Sequence, residues 1–321
     1  MKIAIIGAGL SGLVLASRLT DQHDVTVFEK ARGPGGRMST RRADPFAFDH
    51  GAQYFTAETD RFRDFLDRFL TTEIMARWSV DIATIGGARI SDKPKFIATP
   101  GMNSLCKALA QTLDVHCQFH VQALSHSASG WTLEDKDGGR KGPFDWVISS
   151  APSVQTSALF PESFHDRRSL DQVKMLGCFS LMLGFDTPLD LPWKALKSGT
   201  PPIGWMALNS AKPNRPTSPA LLIQSDNEWA EAHLEDDPDD VSSALLAAAS
   251  HIAGQDLSSA SHRSLHRWRY AATAQPAGKP YSMDDNLQLA ACGDWCLGGK
   301  VEAAFTSASA LADRFVTSSG S

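Results

Sequence analysis

The chain begins with Lys2–Ile6 (KIAII), one lysine followed by four consecutive apolar residues, and the run ends at a glycine. So short and continuous an apolar run predicts a strand buried on both faces. Leu10, Leu13, Val14 and Ser17 then share one helical face through to Leu19, and residues 25–28 form a second, largely apolar run of Val25, Thr26, Val27 and Phe28. That spacing predicts a strand, a helix and a second parallel strand. Over residues 61–70, Phe62, Phe65, Leu66 and Phe69 recur at helical spacing, whereas residues 77–90 alternate and contain Gly86-Gly87, a pair expected to turn a hairpin. Residues 101–113 read as helix, residues 115–124 and 131–134 as strands followed by the turn Asp137-Gly138-Gly139, and residues 144–149 as a buried strand closed by Ala151-Pro152.

The style then changes. Residues 178–185, 203–208, 221–224 and 262–270 predict strands of an antiparallel sheet, and residues 241–252 a helix. Residues 191–202 and 212–219 are rich in proline and read as surface loops, while residues 233–240 read as a solvated acidic loop that caps the helix after it. Residues 287–291 form a further strand and residues 302–316 a helix, so the end of the chain returns to the α/β style of its beginning.

Composition narrows the class. At ~150 residues per domain, 321 residues suggest about two domains. The 42% hydrophobic and 21% charged residues exclude a disordered chain. With 31 Lys and Arg against 36 Asp and Glu and no long basic block, nucleic acid is not an expected partner. Five cysteines, none at C-x-x-C spacing, indicate neither a disulfide framework nor a metal cage, and Cys292 and Cys296 read as packed thiols in a reducing cytoplasm. Residues 3–16 could pass for the core of a signal peptide, but their spaced glycines favour a strand and turn. No run reaches the ~18 apolar residues of a membrane span.

Gly7-Ala8-Gly9-Leu10-Ser11-Gly12 stands between a predicted strand and a predicted helix, the context a dinucleotide-binding turn requires. The first glycine makes the turn, the second admits a pyrophosphate, the third lets the helix pack on the sheet, and the helix start adds partial positive charge. Glu29 ends the second strand 22 residues after Gly7, near the ~20 expected of an acid that accepts ribose hydroxyls. Gly35-Gly36-Arg37-Met38 brings further amides and a charged fork towards the same pyrophosphate. A segment of this kind resembles the flavin-binding members of the glutathione-reductase-like superfamily. Near the other end, Cys292-Gly293-Asp294-Trp295 and the helix opening at Val301-Glu302 look like that superfamily's second flavin motif, with Asp294 directed to the ribityl chain and the helix amides to the pyrimidine edge.

With Asp49-His50-Gly51-Ala52-Gln53-Tyr54-Phe55-Thr56-Ala57 added, the chain resembles the renalase family, particularly its bacterial members, along its whole length. The resemblance implies an α/β fold: a Rossmann-like FAD-binding domain with an inserted antiparallel-sheet substrate domain. Residues 1–75, 99–155 and 284–321 would form the first, residues 76–98 and 156–283 the second. It further implies noncovalent FAD, with Lys30, Gly51, Ala52, Gln53, Val121 and Ala303 joining Gly7 to Gly12, Glu29, Gly36 to Met38, Gly293, Asp294, Val301 and Glu302 around the cofactor. The implied reaction is hydride transfer from 2- or 6-dihydro isomers of NAD(P) to flavin N5, without a protein base, and onward to O2 as hydrogen peroxide. The pocket floor would hold Gln53, Tyr54 and Phe55, with Arg61 a partner for a substrate phosphate and His266 a pocket residue; solvated or core roles for Arg61 and His266 remain open. Lys300 stands where bacterial relatives tend to carry arginine. A flavin amine oxidase acting on a small amine and a non-catalytic flavin-binding sensor are the alternative readings. The number of chains in the assembly is left open.

Overall fold

The computed structural model describes residues 1–318. The apolar run Lys2–Ile6 is the centre of a six-stranded sheet, which is why Ile3, Ala4 and Ile5 are fully buried. Leu289–Ala291, Trp146–Ser149, Lys2–Ile6, Asp24–Glu29 and Asp114–Cys117 run parallel in that order, and Ser282–Asp284 closes one edge antiparallel. Helix Leu10–Leu19 packs its apolar face on this sheet beside the closing helix Val301–Ser318. Ser11 Oγ donates to the carbonyl of Ala304 at 2.7 Å, so the first and last helices of the chain are locked together. The other face is covered by Phe28, Trp131, Phe160, Phe164 and Trp295.

A second six-stranded sheet follows the order His262–Gln275, Lys174–Gly184, Ala220–Ser225, Ile203–Leu208, Ala195–Ser198, Ile82–Ile85. The helix Pro238–Ala253 buries Val241, Leu245 and Ala249 against Phe179, Leu181 and Ile223 of this sheet. As the acidic loop suggested, Asp237 caps that helix by accepting from the amide of Asp239.

The α/β class and the two sheet styles follow the sequence pattern, but several elements differ. Residues 115–124 are not one strand: Gln118 takes a positive φ of 60°, and the chain turns there from Asp114–Cys117 in the parallel sheet to Val121–Ser127 in a small three-stranded sheet. Residues 144–149 divide likewise, Arg140–Phe144 going to the small sheet and Trp146–Ser149 to the large one. Gly86-Gly87 turns no hairpin. Ile82–Ile85 instead pairs in parallel with Ala195–Ser198, a strand inside the stretch read as a proline-rich loop. Of two short helices, Ser153–Leu159 crosses the boundary at 155/156 and Arg167–Asp171 lies within the span assigned to the inserted domain, and Phe160, Phe164 and Leu170 join the core of the parallel sheet. Among the described residues no helix is long and apolar enough to cross a membrane.

Candidate active site

A cleft of about 1580 Å³ opens between the C-terminal ends of the parallel strands and the second sheet. Ordinary small-molecule pockets hold roughly 300–1,000 Å³, so this one has room for an extended dinucleotide and a second ligand. Both terminal motifs line it, Gly7 and Gly9 from one and Gly293, Asp294 and Val301 from the other.

The glycine turn is shaped by direct contact. A Cβ on Gly12 would stand 2.0 Å from the carbonyl oxygen of Gly7, so the helix can approach the strand only without one. A Cβ on Gly9 would meet nothing, leaving open space over the turn, and one on Gly36 would lie 3.4 Å from Gly9 Cα. The Gly35 amide donates to the carbonyl of Ala8 at 2.9 Å, so the two glycine segments are tied together into one backbone wall facing the cleft. Glu29 is buried at the strand end, its two carboxylate oxygens accepting from the amides of Ala8 and Ala31, both at 2.8 Å. A carboxylate has about four acceptor sites, so two remain for ribose hydroxyls. Lys30, Met38 and Val121 also line the cleft. Open backbone over the turn, an acid at the strand end and sufficient volume fit a flavin dinucleotide.

Arg37 and Asp294, expected to serve different parts of the cofactor, form a bidentate pair with each other; one of its two bonds, Nη1 to Oδ2, measures 2.7 Å. The pair joins the opening and closing motifs across the cleft wall. Asp294 is largely buried while Arg37 remains partly exposed, so its guanidinium can still meet a ligand phosphate.

Residues 49–53 cross the junction between the two sheets and are held from both sides. A Cβ on Gly51 would fall 2.0 Å from the Arg37 carbonyl oxygen, and the Ala52 amide donates to that same oxygen at 2.8 Å. The His50 carbonyl accepts from Ser180 Oγ at 2.7 Å and Trp268 Nε1 at 2.8 Å; the Gly51 carbonyl accepts from Gln224 Nε2 at 2.8 Å. Beneath them lies a fully buried ion cluster. Asp49 Oδ2 accepts from Lys212 Nζ at 3.1 Å and from Arg215 Nη2 at 2.8 Å, while Oδ1 accepts from Thr40 Oγ1 and the Met102 amide. Burial opposes ionisation of Asp49, but the Lys212 and Arg215 charges outweigh it and hold the carboxyl at about 2. Burial conversely pushes the Lys212 ammonium down.

Several sequence expectations change here. The side chain of Gln53 is spent internally: Oε1 accepts from Lys212 Nζ and Trp205 Nε1, both at 3.3 Å, and Nε2 donates to the carbonyls of Asp49 and Gly51. Its amide clamps the segment, while Gln53 still forms part of the cleft wall with Gly51 and Ala52. Phe55 turns into the core against Phe62 and Phe96, and Arg61 lies outside the cleft, paired with Asp313 at 2.9 and 3.1 Å. Glu302 points away from the cleft, accepting from the amides of Glu58 and Thr59 at 2.7 Å, so it fastens the start of helix Asp60–Thr71. Ala8, Gly12 and Ala303 also lie behind the lining. Lys300 pairs with Glu58 at 3.3 Å.

Tyr54 and His266 do line the cleft. Tyr54 packs against Trp205, and His266 forms a ring cluster with His50 and Trp268, centroids 4.3 to 5.1 Å apart. Burial, with smaller contributions from neighbouring positive charge including Arg41, pushes His50 down to about 3 and His266 to about 4, so both imidazoles are neutral at pH 7. Trp268, Trp205 and Gln224 have no motif of their own in the sequence. Lys212 and Arg215 sat in a proline-rich stretch with no visible role. Burial raises Cys296 to about 12 and Cys178 to about 11, thiols with no thiolate character. Among the described residues no group of three or more side chains gathers to hold a metal.

Comparison with known proteins agrees with this architecture. An NAD(P)-binding Rossmann-like domain matches residues 5–69, and the flavin containing amine oxidoreductase family matches residues 82–314, more than half of the chain. The 4,4'-diapophytoene desaturase (4,4'-diaponeurosporene-forming) of Staphylococcus aureus strains Newman and USA300 is 54% identical over 52 residues, 16% of this chain. The match spans about 10% of the desaturase's own length. A crystal structure of a putative protoporphyrinogen oxidase from Exiguobacterium sp. 255-15 superposes with a TM-score of 0.77 at 13% identity, covering 98% of both chains, a likeness of fold. FAD is therefore the cofactor that the cradle serves. The chain belongs to the flavin-containing amine oxidoreductase family.

Proposed function

We propose that this flavin-dependent oxidoreductase oxidises 2- and 6-dihydro isomers of NAD(P). The net change is dihydro-NAD(P) plus O2 plus H⁺ to NAD(P)⁺ plus H2O2. The observation that carries the reading is the charge of the cleft: ten Lys and Arg line it against three Asp and Glu, in a chain whose net charge is −5. Such a wall attracts a phosphorylated dinucleotide and repels a protonated amine. Bound FAD supplies the hydride acceptor and its reoxidation by O2. The chain supplies position. Glu29 and the two glycine segments hold the dinucleotide, Tyr54, Trp205, His266 and Trp268 offer uncharged rings to a flat heterocycle, and the clamp on residues 49–53 keeps the floor rigid. Both histidines of the ring cluster are neutral at pH 7, so neither adds a charge beside the positively charged nicotinamide product. We assign the activity to the cytoplasm, where the five free thiols stay reduced.

The test is an anaerobic titration of the FAD-loaded protein with borohydride-reduced NAD⁺ isomers. Bleaching of the flavin by the 2- or 6-dihydro forms, with ordinary NADH inert, is expected. Bleaching by small amines and not by any dihydronicotinamide overturns the reading.

A further inference from the structure

The cations of the cleft are not alike. Arg37 is neutralised by Asp294, Arg269 by Glu235 and Lys300 by Glu58. Lys30 and Arg32 sit at the end of the second strand beside Glu29, in the part that holds the cofactor. Arg41, Arg42 and Lys107 are different: they line the cleft, and none of their side chains has a carboxylate or hydrogen-bond partner among the described residues.

Their placement follows from strand geometry. Arg41–Ala43 pairs antiparallel with Phe46–Phe48, setting Arg41 opposite Phe48 and Arg42 opposite Ala47. Successive side chains of a strand point to opposite faces. Phe46 and Phe48 pack on His262 and on Met182 and Leu222 of the second sheet, so Arg41 shares the face turned to that sheet, near His50 and His266. Arg42 is thereby turned the other way and lines the cleft with Lys107 of helix Ser104–Ala110. Asn103, four residues before Lys107 and on the same helical face, abuts Gly35, whose added Cβ would stand 3.2 Å from Asn103 Cβ. The helix that carries Lys107 thus abuts the Gly35 to Arg37 turn through Asn103, and Lys107 is close enough to Arg42 that this charge, after burial, lowers its ammonium. Two like charges side by side without a counter-ion are unfavourable, and a dianion between them removes the repulsion. A guanidinium fork beside an ammonium suits phosphate oxygens.

We propose that Arg42 and Lys107, with Arg41 at the edge nearer the ring cluster, form a seat for a phosphate or pyrophosphate of the substrate, distinct from the glycine cradle that takes the cofactor. This rests on the dinucleotide reading above and gives the substrate a second point of attachment, away from its reacting ring. No bond is made or broken at the seat.

The experiment is calorimetric titration of the FAD-loaded protein with inorganic pyrophosphate and with ADP-ribose, which carries the pyrophosphate but no reducible ring. Wild type binds both, more weakly as salt rises. The double variant R42E/K107E keeps a full complement of FAD and binds ADP-ribose weaker by roughly tenfold or more, as expected when hydrogen bonds to a charged group are lost; R42Q/K107Q gives a smaller loss in the same direction. Both positions are solvent-accessible, and a matched thermal melt checks that the variants fold. No binding by wild type, equal binding by wild type and R42E/K107E, or release of FAD from the variant overturns the proposal, the last because the seat would then belong to the cofactor. If ADP-ribose binding falls as expected while no dihydronicotinamide isomer bleaches the flavin, the seat stands and the substrate reading fails.

Discussion

Two ion centres join distant parts of this chain, and they are built differently. Asp49, Lys212 and Arg215 have no solvent exposure at their side chains, and every oxygen of the carboxylate is used. Arg37 and Asp294 face the cleft, with the guanidinium partly open to solvent. In the first, the side chains are closed to water and ligand, so the cluster is a fastener between the loop at residues 49–53 and the segment carrying Lys212 and Arg215 between strands of the second sheet. In the second, water and ligand phosphates compete for the same donors, so the pair can exchange partners when a dinucleotide enters. Burial, rather than the presence of opposite charges, separates a structural ion pair from one that serves a ligand.

That contrast can be broken by mutation. Asp49→Asn leaves two cations buried without their acid and is expected to cost about 3–5 kcal/mol of stability, read as a large drop in melting temperature by calorimetry. A melting temperature close to wild type would show that the cluster is not a fastener.

Acid should attack the same region without mutation. The Asp49 carboxyl is held at about 2 against an ordinary 3.8, so it contributes stability that is complete above the ordinary value and lost as pH falls from there towards 2. His50 is held at about 3 against 6.5, and its contribution likewise fades as pH falls from 6.5 towards 3. Both act in one direction but in successive windows: the melting temperature declines below pH 6.5 through His50 and further below about 3.8 through Asp49, and His50→Phe, which removes one titrating group, flattens the upper part of that decline. A curve that stays level down to pH 4 contradicts this.

Arg37→Gln should cost less in stability, about 1–2 kcal/mol for the unpaired Asp294, and more in cofactor retention, with FAD lost faster on gel filtration than from wild type. Equal retention would mean that the guanidinium never leaves Asp294. Smallest of all, Arg61→Gln removes a solvent-exposed pair with Asp313 and should change stability by less than about 1 kcal/mol, with substrate affinity unchanged. A raised KM would restore Arg61 to the site.

The cofactor half was legible because its determinants are neighbours in sequence. Gly7, Gly9 and Gly12 act within one turn, and Glu29 reaches the Ala8 amide because two adjacent parallel strands must bring it there. The rest was hidden for identifiable reasons. Residues 191–202 looked like a loop because proline masked a strand whose partner, Ile82–Ile85, lies more than a hundred residues earlier and runs parallel to it. The resemblance puts Gln53 on the pocket floor but does not show that Lys212 and Trp205 consume its side-chain oxygen. Of the two roles open to Arg61, its pairing with Asp313, far along the chain, favours the surface one.

From its sequence alone this protein specified the dinucleotide turn, the alternation of sheet styles and the family of its chemistry, since backbone conformation and strand burial depend on residues close together in the chain. The tertiary structure decided which polar groups still have a bond to offer a ligand. Whether Gln53, Arg61 or Arg42 is free depends on whether a folded neighbour has already saturated it, and hydrogen-bond saturation in a low-dielectric interior is set by spatial contact, which no local pattern records.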